Sequence, residues 1–269
     1  MTRLTLVPTP IGNLKDITLR ALDVLEQADV VAAEDTRRTR TLLAHYGIRT
    51  PLVRLDAHTV ATRAAGILER NGSVAFVTDS GTPGISDPGA DLVRLALHHD
   101  VEIEVLPGAT AFVPALVLSG LPVARFHFEG FLPRKGGGRR RRLERIASSE
   151  VSVALYEAAP RVEITLQDLI EYCGPERAGS LSRELSKRFE ATLRGSLSEL
   201  HSAVRSHPLK GELVLVVGPG RGGASPVDLA ELVRQLAAEG LAGRELREAL
   251  EARGVPRNEA YELALGTEV

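Results

Sequence analysis

An apolar run, Val74–Val77, stops at Thr78-Asp79, and the eleven residues from Asp79 to Gly89 then hold three glycines and two prolines. Gly and Pro break both helix and strand, so this stretch has to be a loop between a buried strand and the helical pattern that begins near Ala90. In an open α/β sheet, ligands bind at the carboxyl ends of strands. Ser80, Gly81 and Thr82 are small enough to let a ligand reach backbone N–H groups, and Asp79 supplies one fixed acceptor. A long, well-capped turn is the alternative.

The same pitch recurs on both sides of this loop. Leu4–Val7 reads as a strand ending in Pro8, and Asp16–Ala28 as a helix with Leu19, Leu22 and Leu25 on one face. Strand Val30–Ala33 leads through Glu34-Asp35-Thr36-Arg37 into a helix from Arg38 to Tyr46, closed by Gly47. Strand Leu52–Leu55 precedes a helix with Ala61, Ala65 and Leu68 inward. Helix Ala90–His98, strand Val101–Leu106 and the segment Pro107-Gly108-Ala109-Thr110-Ala111, which opens an apolar helix through Leu118, complete the series. Strands alternating with helices in this way predict a parallel sheet covered on both faces, in a first domain of residues 1–120.

A second α/β domain is expected over residues 121–222. Its strands are Phe126–Glu129, Val151–Tyr156, Ala178–Leu185 and Glu212–Val217, and its helices Arg139–Ser148, Arg161–Tyr172 and Leu197–Val204. Neighbouring strands here lack helical crossovers, which predicts a mixed sheet. Phe126, Phe128 and Phe131 read as a strand with one buried face rather than as base-stacking groups. After the linker GPGRGGASP, residues 223–269 hold short helices with turns at Gly240 and Gly254-Val255-Pro256, a small appendage that fits a helix-turn-helix.

Several function classes find no support. A single cysteine, Cys173, excludes an internal disulfide and suits a reducing cytosol. No apolar run reaches membrane-spanning length, and MTRLTLVPTPIG does not resemble a signal peptide. Gly218, Gly220 and Gly223 match a dinucleotide fingerprint, but Pro219 stiffens the turn and Ala224-Ser225-Pro226 delays the helix. No P-loop, metalloprotease or serine-hydrolase motif occurs, and the histidines lack metal-ligand spacing.

Charge is unevenly spread. Residues 121–222 carry 17 basic and 12 acidic side chains, against 11 and 14 in residues 1–120 and 5 and 9 in residues 223–269. The positive middle points to a polyanionic partner. Seven basic residues lie between Arg134 and Arg145, around Gly136-Gly137-Gly138. Either they form a solvated helix face in an arginine-rich chain, or an arm that contacts phosphates. The segment Ser182–Glu190 is also dense in charge: a surface strand would explain it, or a site in which Lys187 polarises a hydroxyl and Glu184 accepts a proton or orients Arg183.

Together PTPIGNLKDIT (8–18), AAEDTRRTRTLL (32–43), TDSGTPGISDPG (78–89), PGATAFVPAL (107–116), FEGFLPRKGGGRRRRL (128–143), LYEAAPRV (155–162), LSRELSKRFE (181–190) and KGELVLVV (210–217) resemble the tetrapyrrole-methylase superfamily. More closely they resemble its ribosomal RNA small-subunit methyltransferase I family. Thr78-Asp79-Ser80 and LYEAAPRV depart slightly from that family's pattern, the latter by lacking a histidine. The resemblance implies an α/β protein of two domains with S-adenosylmethionine in the cleft between them, a small helical C-terminal appendage, and a homodimer without metal. It also implies methylation of a cytidine 2′-hydroxyl in the decoding centre of small-subunit ribosomal RNA. By position, Pro8, Asp79, Gly81, Thr82, Ile85, Thr110, Ala111, Tyr156, Leu185, Gly211 and Leu213 would hold the donor. Lys187 and Glu184 would serve the chemistry, with Glu34 and Asp35 as second choices. Asn13, Glu34, Asp35, Arg37, Arg134, Lys135, Arg139, Arg140 and Arg183 would meet the RNA. A porphyrinoid methyltransferase of the same superfamily, or a non-catalytic RNA-binding assembly factor, are the competing readings.

Overall fold

The computed structural model describes residues 2–207, 209–220, 226–253, 255 and 257–265, with the side chains of 226–230, 252, 257–259 and 265 outside that description. The chain divides into two compact units: Met1–Pro114 with Glu184–Glu190, and Ala115–Arg183 with Ala191–Val269.

In the first unit, β1 (Arg3–Leu6), β2 (Val30–Ala33), β3 (Leu52–Arg54), β4 (Ser73–Val77) and β5 (Glu102–Val105) form a five-stranded sheet of order β3-β2-β4-β1-β5. All of its pairings are parallel. The apolar run that precedes the Gly/Pro loop is therefore the central strand. Alternate residues face opposite layers, as a strand's period of two requires. Leu4, Leu6, Val74 and Phe76 pack against α3 (Val60–Arg70) and α4 (Gly89–His98). Val7, Val31, Ala75 and Val77 pack against α1 (Leu19–Gln27) and α2 (Thr36–His45). Phe76 is fully buried, and a side chain of that size contributes about 1.5–3 kcal/mol.

Two helix faces differ from the sequence reading. Leu19 is 81% exposed, because α1 starts at that residue behind the Thr18 cap and turns Ala21 and Leu25 inward. In α3 the buried stripe is Val60, Ala64, Ile67 and Leu68, while Ala61 faces out. The i, i+4, i+7, i+8 pattern begins at Val60, and reading it from Ala61 shifts the phase.

The second unit contains the end of α5 (Phe112–Ser119) and a sheet of order β6-β7-β10-β8-β9. Its strands are β6 (Phe126–Phe131), β7 (Ser152–Ala158), β8 (Ala178–Arg183), β9 (Ala191–Ser196) and β10 (Glu212–Val217). The sheet is mixed, with β6 parallel to β7 and the other pairings antiparallel. One face packs beneath α6 (Gly137–Ala147), α7 (Val162–Cys173) and α8 (Leu197–Ser206) through Val153, Leu155, Leu181, Leu213 and Leu215. Strand β9 was not expected. Its sequence, ATLRGS, has no buried apolar run, because it lies at the sheet edge and pairs only with β8.

The phenylalanines of β6 do not form a buried face: Phe126 is 41% and Phe131 48% exposed. A register shift between Phe128 and Gly130 puts Phe128 and Phe131 against the same ring, Tyr156. Beyond β10, α9 (Pro226–Ala238), α10 (Gly243–Ala252) and α11 (Arg257–Leu265) share a small core of their own around Leu236, Leu246 and Leu250. Gly223, the last glycine of the dinucleotide-like match, and the turn residues Gly254 and Pro256 lie outside the described residues. No helix among the described residues is long and apolar enough to cross a membrane.

Candidate active site

In the first unit, the loops that leave β1, β4 and β5 are stitched together by their backbones. Thr9 N–H donates to the Gly81 carbonyl at 3.0 Å, and Gly81 N–H returns a bond to the Thr9 carbonyl at 2.9 Å. The Thr82 hydroxyl donates to the Ala109 carbonyl at 3.0 Å. Gly108 lies against Pro8 so closely that a Cβ would sit 2.5 Å from the Pro8 Cβ. Within the central loop, the Asp87 carboxylate accepts the N–H groups of Gly84 at 2.7 Å, Ile85 at 3.2 Å and Gly89 at 2.7 Å. Gly81 holds a φ of +80°, a value that favours glycine. Pro8, Asp79, Gly81, Thr82, Ile85, Thr110 and Ala111 all belong to these loops.

Carboxylates flank the central loop. Asp79 N–H donates to Glu34 at 3.4 Å. Burial pushes the Glu34 carboxyl above its ordinary value; the Asp79 N–H opposes this, and the charges of Asp79, Asp87 and Asp56 add to it. Asp35 caps α2 by accepting Arg37 N–H at 2.9 Å and binds the Arg37 guanidinium at 2.7 Å. Those bonds hold Asp35 far below the usual carboxylate range, which makes it a poor proton acceptor. Arg37 is spent on Asp35, and it is Arg38 that reaches Asp79, at 3.6 Å.

The turn Glu184–Glu190 packs in the same unit. Glu184 and Ser186 adopt φ of 49° and 66°, a strained conformation for residues with side chains. Ser186 N–H donates to Glu190 at 2.6 Å, its hydroxyl donates to Asp16, and Lys187 Nζ donates to Glu184 at 3.0 Å. Gly12 makes room for that lysine, since a Cβ there would lie 2.3 Å from Lys187 Cγ. Beside the turn is an open pocket of about 570 Å³, walled by Ile11, Asp16, Gly108, Thr110, Leu185 and Ser186. Asn13 stands on the adjoining loop, where its side chain accepts Lys15 N–H at 3.1 Å.

The remaining expected residues belong to the second unit. Tyr156 lies on the face of β7 opposite the helices, whereas the Leu213 side chain is buried in the core beneath them, leaving only its backbone to meet a ligand. Gly211 borders a separate pocket of about 480 Å³ with Ala158–Pro160 and Lys210. Arg183 ends β8, opposite Leu213 and Ala191. Arg134, Lys135 and Arg140 are exposed. Arg139 is not: only 8% of it is accessible, and it binds Asp168, Thr165 and the Pro133 carbonyl, which corrects its placement on an RNA-facing surface. The helix period explains this, because positions 139, 142, 143 and 146 share the inner side of α6.

Sequence reasoning missed Gly12, Asp16, Arg38 and Glu190. The contacts of Gly12, Asp16 and Arg38 bridge distant positions that no local spacing connects. Only Glu190, four residues after Ser186, left a local signal, in the charge density of its own segment.

Comparison with known proteins supplies the family. Residues 3–201 match the family model for tetrapyrrole (corrin/porphyrin) methylases. Proteins called ribosomal RNA small subunit methyltransferase I share 40% identity in Synechocystis sp., covering 98% of each chain, and 41% in Mesorhizobium japonicum, covering 96% of this chain and 90% of the relative. Among solved structures, uroporphyrin-III C-methyl transferase from Thermus thermophilus complexed with S-adenyl homocysteine aligns with a TM-score of 0.60 at 21% identity, over 80% of this chain and 97% of that one. Diphthine synthase aligns with a TM-score of 0.61 at 17% identity, over 81% and 90%. At those identities the structures speak for the fold, while the sequence relatives speak for the branch. The chain belongs to the ribosomal RNA small subunit methyltransferase I family of tetrapyrrole methylases.

Proposed function

We propose that this protein transfers a methyl group from S-adenosylmethionine to the 2′-hydroxyl of a cytidine in the decoding centre of small-subunit ribosomal RNA. Family membership supports the donor and the RNA substrate. The observation that carries the chemistry is the strained turn, which presents Lys187 and Glu184 3.0 Å apart near a pocket.

The pocket suits a donor of nucleoside size, since ligand sites commonly enclose about 300–1,000 Å³. Its Asp16 and Glu190 carboxylates match a ligand that carries positive charge. When bound, the donor supplies a sulfonium methyl that is already activated. The loops at Pro8, Asp79–Ile85 and Thr110–Ala111 then have to fix the reacting atoms in line and exclude water. Leu185, on the wall of that pocket, completes the proposed donor contacts within the first unit. Lys187 stabilises the developing alkoxide of the acceptor ribose, and Glu184 orients that ammonium and takes the proton. Glu34, whose burial raises its proton affinity, is the second choice.

The first unit, with its turn Glu184–Glu190, serves the donor and the acceptor ribose, which Asn13, Glu34, Asp35 and Arg37 border, and the second unit carries the main RNA surface in Arg134, Lys135, Arg140 and Arg183. The protein acts in the cytoplasm as a homodimer. Radiolabelled methyl transfer to small subunits from a strain lacking the enzyme, followed by nucleoside analysis, tests the reading. Label in 2′-O-methylcytidine is expected. Label in a base, or transfer only to a porphyrinoid, overturns it.

A further inference from the structure

Three consecutive carbonyls at the exit of β6 are each held by a different arginine. Arg142 donates to Phe131 O at 3.0 Å, Arg161 to Leu132 O at 2.8 Å and Arg139 to Pro133 O at 3.0 Å. Every one of these guanidiniums is also paired with a carboxylate: Arg142 with Glu129 at 2.6 Å, Arg161 with Glu157 at 3.3 Å and Arg139 with Asp168 at 2.6 Å. Thr165 connects two of the pairs, accepting from Arg139 at 3.0 Å and donating to Glu157 at 2.6 Å. The Glu157 side chain is fully buried, and those of Glu129 and Arg139 are only 8% and 9% exposed. A solvated helix face does not need such an arrangement. A guanidinium can serve a carbonyl and a carboxylate at once because its donors form a rigid planar fork.

The clamp ends where the exposed basic loop begins. Arg134 and Lys135 follow Pro133 directly, Gly136 turns the chain with a φ of +85°, and Arg140 and Arg141 face out from the first turns of α6. Inner arginines thus fix the backbone, and outer basic groups are presented by it. We infer that Arg139, Arg142 and Arg161 are positioning residues for RNA binding: they touch no RNA, and they pre-organise residues 134–141 so that the outer cations meet phosphates at little ordering cost. This rests on the proposed RNA reading of the loop.

Two sets of full-length variants test it. Arg139→Lys, Arg142→Lys and Arg161→Lys keep the charge and lose the fork. Each is expected to raise the KM for RNA about tenfold, the scale of one charge-assisted bond, with kcat at saturating RNA and donor affinity unchanged. Trypsin should also cut faster within 134–141. Should Arg139→Lys fail to fold, Arg142→Lys, nearer the surface, carries the same test. Arg140→Ser with Arg141→Ser is the control, expected to lower the salt slope of RNA binding by about 0.7–0.9 per lost contact. If the control weakens RNA binding and the lysine variants lower Tm with KM unmoved, the clamp is structural and the inference fails. If neither set changes RNA binding, the RNA reading of the loop falls with it. Weakening by the lysine variants alone would also overturn the inference, because the outer cations would then not be what the clamp serves.

Discussion

The loop Asp79–Pro88 of the first unit and the loop Leu132–Gly136 of the second each lead from a strand into a helix, yet they are held in opposite ways. The first is fixed by backbone groups and one short carboxylate: the Thr9–Gly81 bridge, the Thr82–Ala109 bond and three N–H groups on Asp87. The second is fixed by long charged side chains, with Arg139, Arg142 and Arg161 on successive carbonyls. The loop bonded to the first, Gly108–Thr110, has small residues that wall the pocket of about 570 Å³, as a site for a compact ligand requires. Arginines spent inward beneath the second leave further cations outward, as a surface for a polyanion requires. Shape is the resource of one loop and charge of the other.

This contrast is open to attack, starting where the effect is largest. Lys187→Ala should cut kcat by about 10²–10³-fold, the range for a lost alkoxide stabiliser or proton-transfer group. Single-turnover transfer at saturating RNA measures it, and donor affinity by calorimetry should not move. A loss within threefold would hand the role to Glu184, then to Glu34. Gly108→Ala is a smaller blow but tests shape alone, because the new Cβ meets the Pro8 ring at 2.5 Å. Overpacking of that kind costs about 1–3 kcal/mol. Donor affinity should fall and the salt slope of RNA binding should stay. Equal damage to both would dissolve the division of labour between the loops.

Smallest is the effect at Glu34. Its carboxyl is raised in the folded state by burial, so the folded protein holds that proton more tightly than the unfolded chain. Its contribution to stability is complete below the ordinary carboxylate range and is lost as pH rises through the folded value. Glu34→Gln should therefore raise Tm at pH 8 and change it little near pH ~4. A Tm gain independent of pH would remove burial of a charge as the cause.

Much of the first unit was legible, because a buried parallel strand such as VVAA or VAFV is apolar on both faces and its loop is written in glycine and proline. The phase of an amphipathic helix was less so: Ala61 and Val60 are both apolar, and only packing decides which turns inward. Strand β9 was hidden because an edge strand needs no apolar signature. At the site, loop residues could be named from their chemistry. The pairing of Gly12 with Lys187 joins parts of the chain that only the fold brings together, and the sorting of the arginines into inner and outer sets depended on where α6 begins.

Alkaline cleavage of the product RNA tests the central claim most directly. A 2′-O-methyl group removes the nucleophile that alkali needs to break the adjacent phosphodiester. Small-subunit RNA methylated by this protein should show one protected linkage, on the 3′ side of a cytidine, and the same RNA treated with Lys187→Ala for the same time should show almost none. Methyl incorporation with an unbroken ladder would contradict ribose methylation.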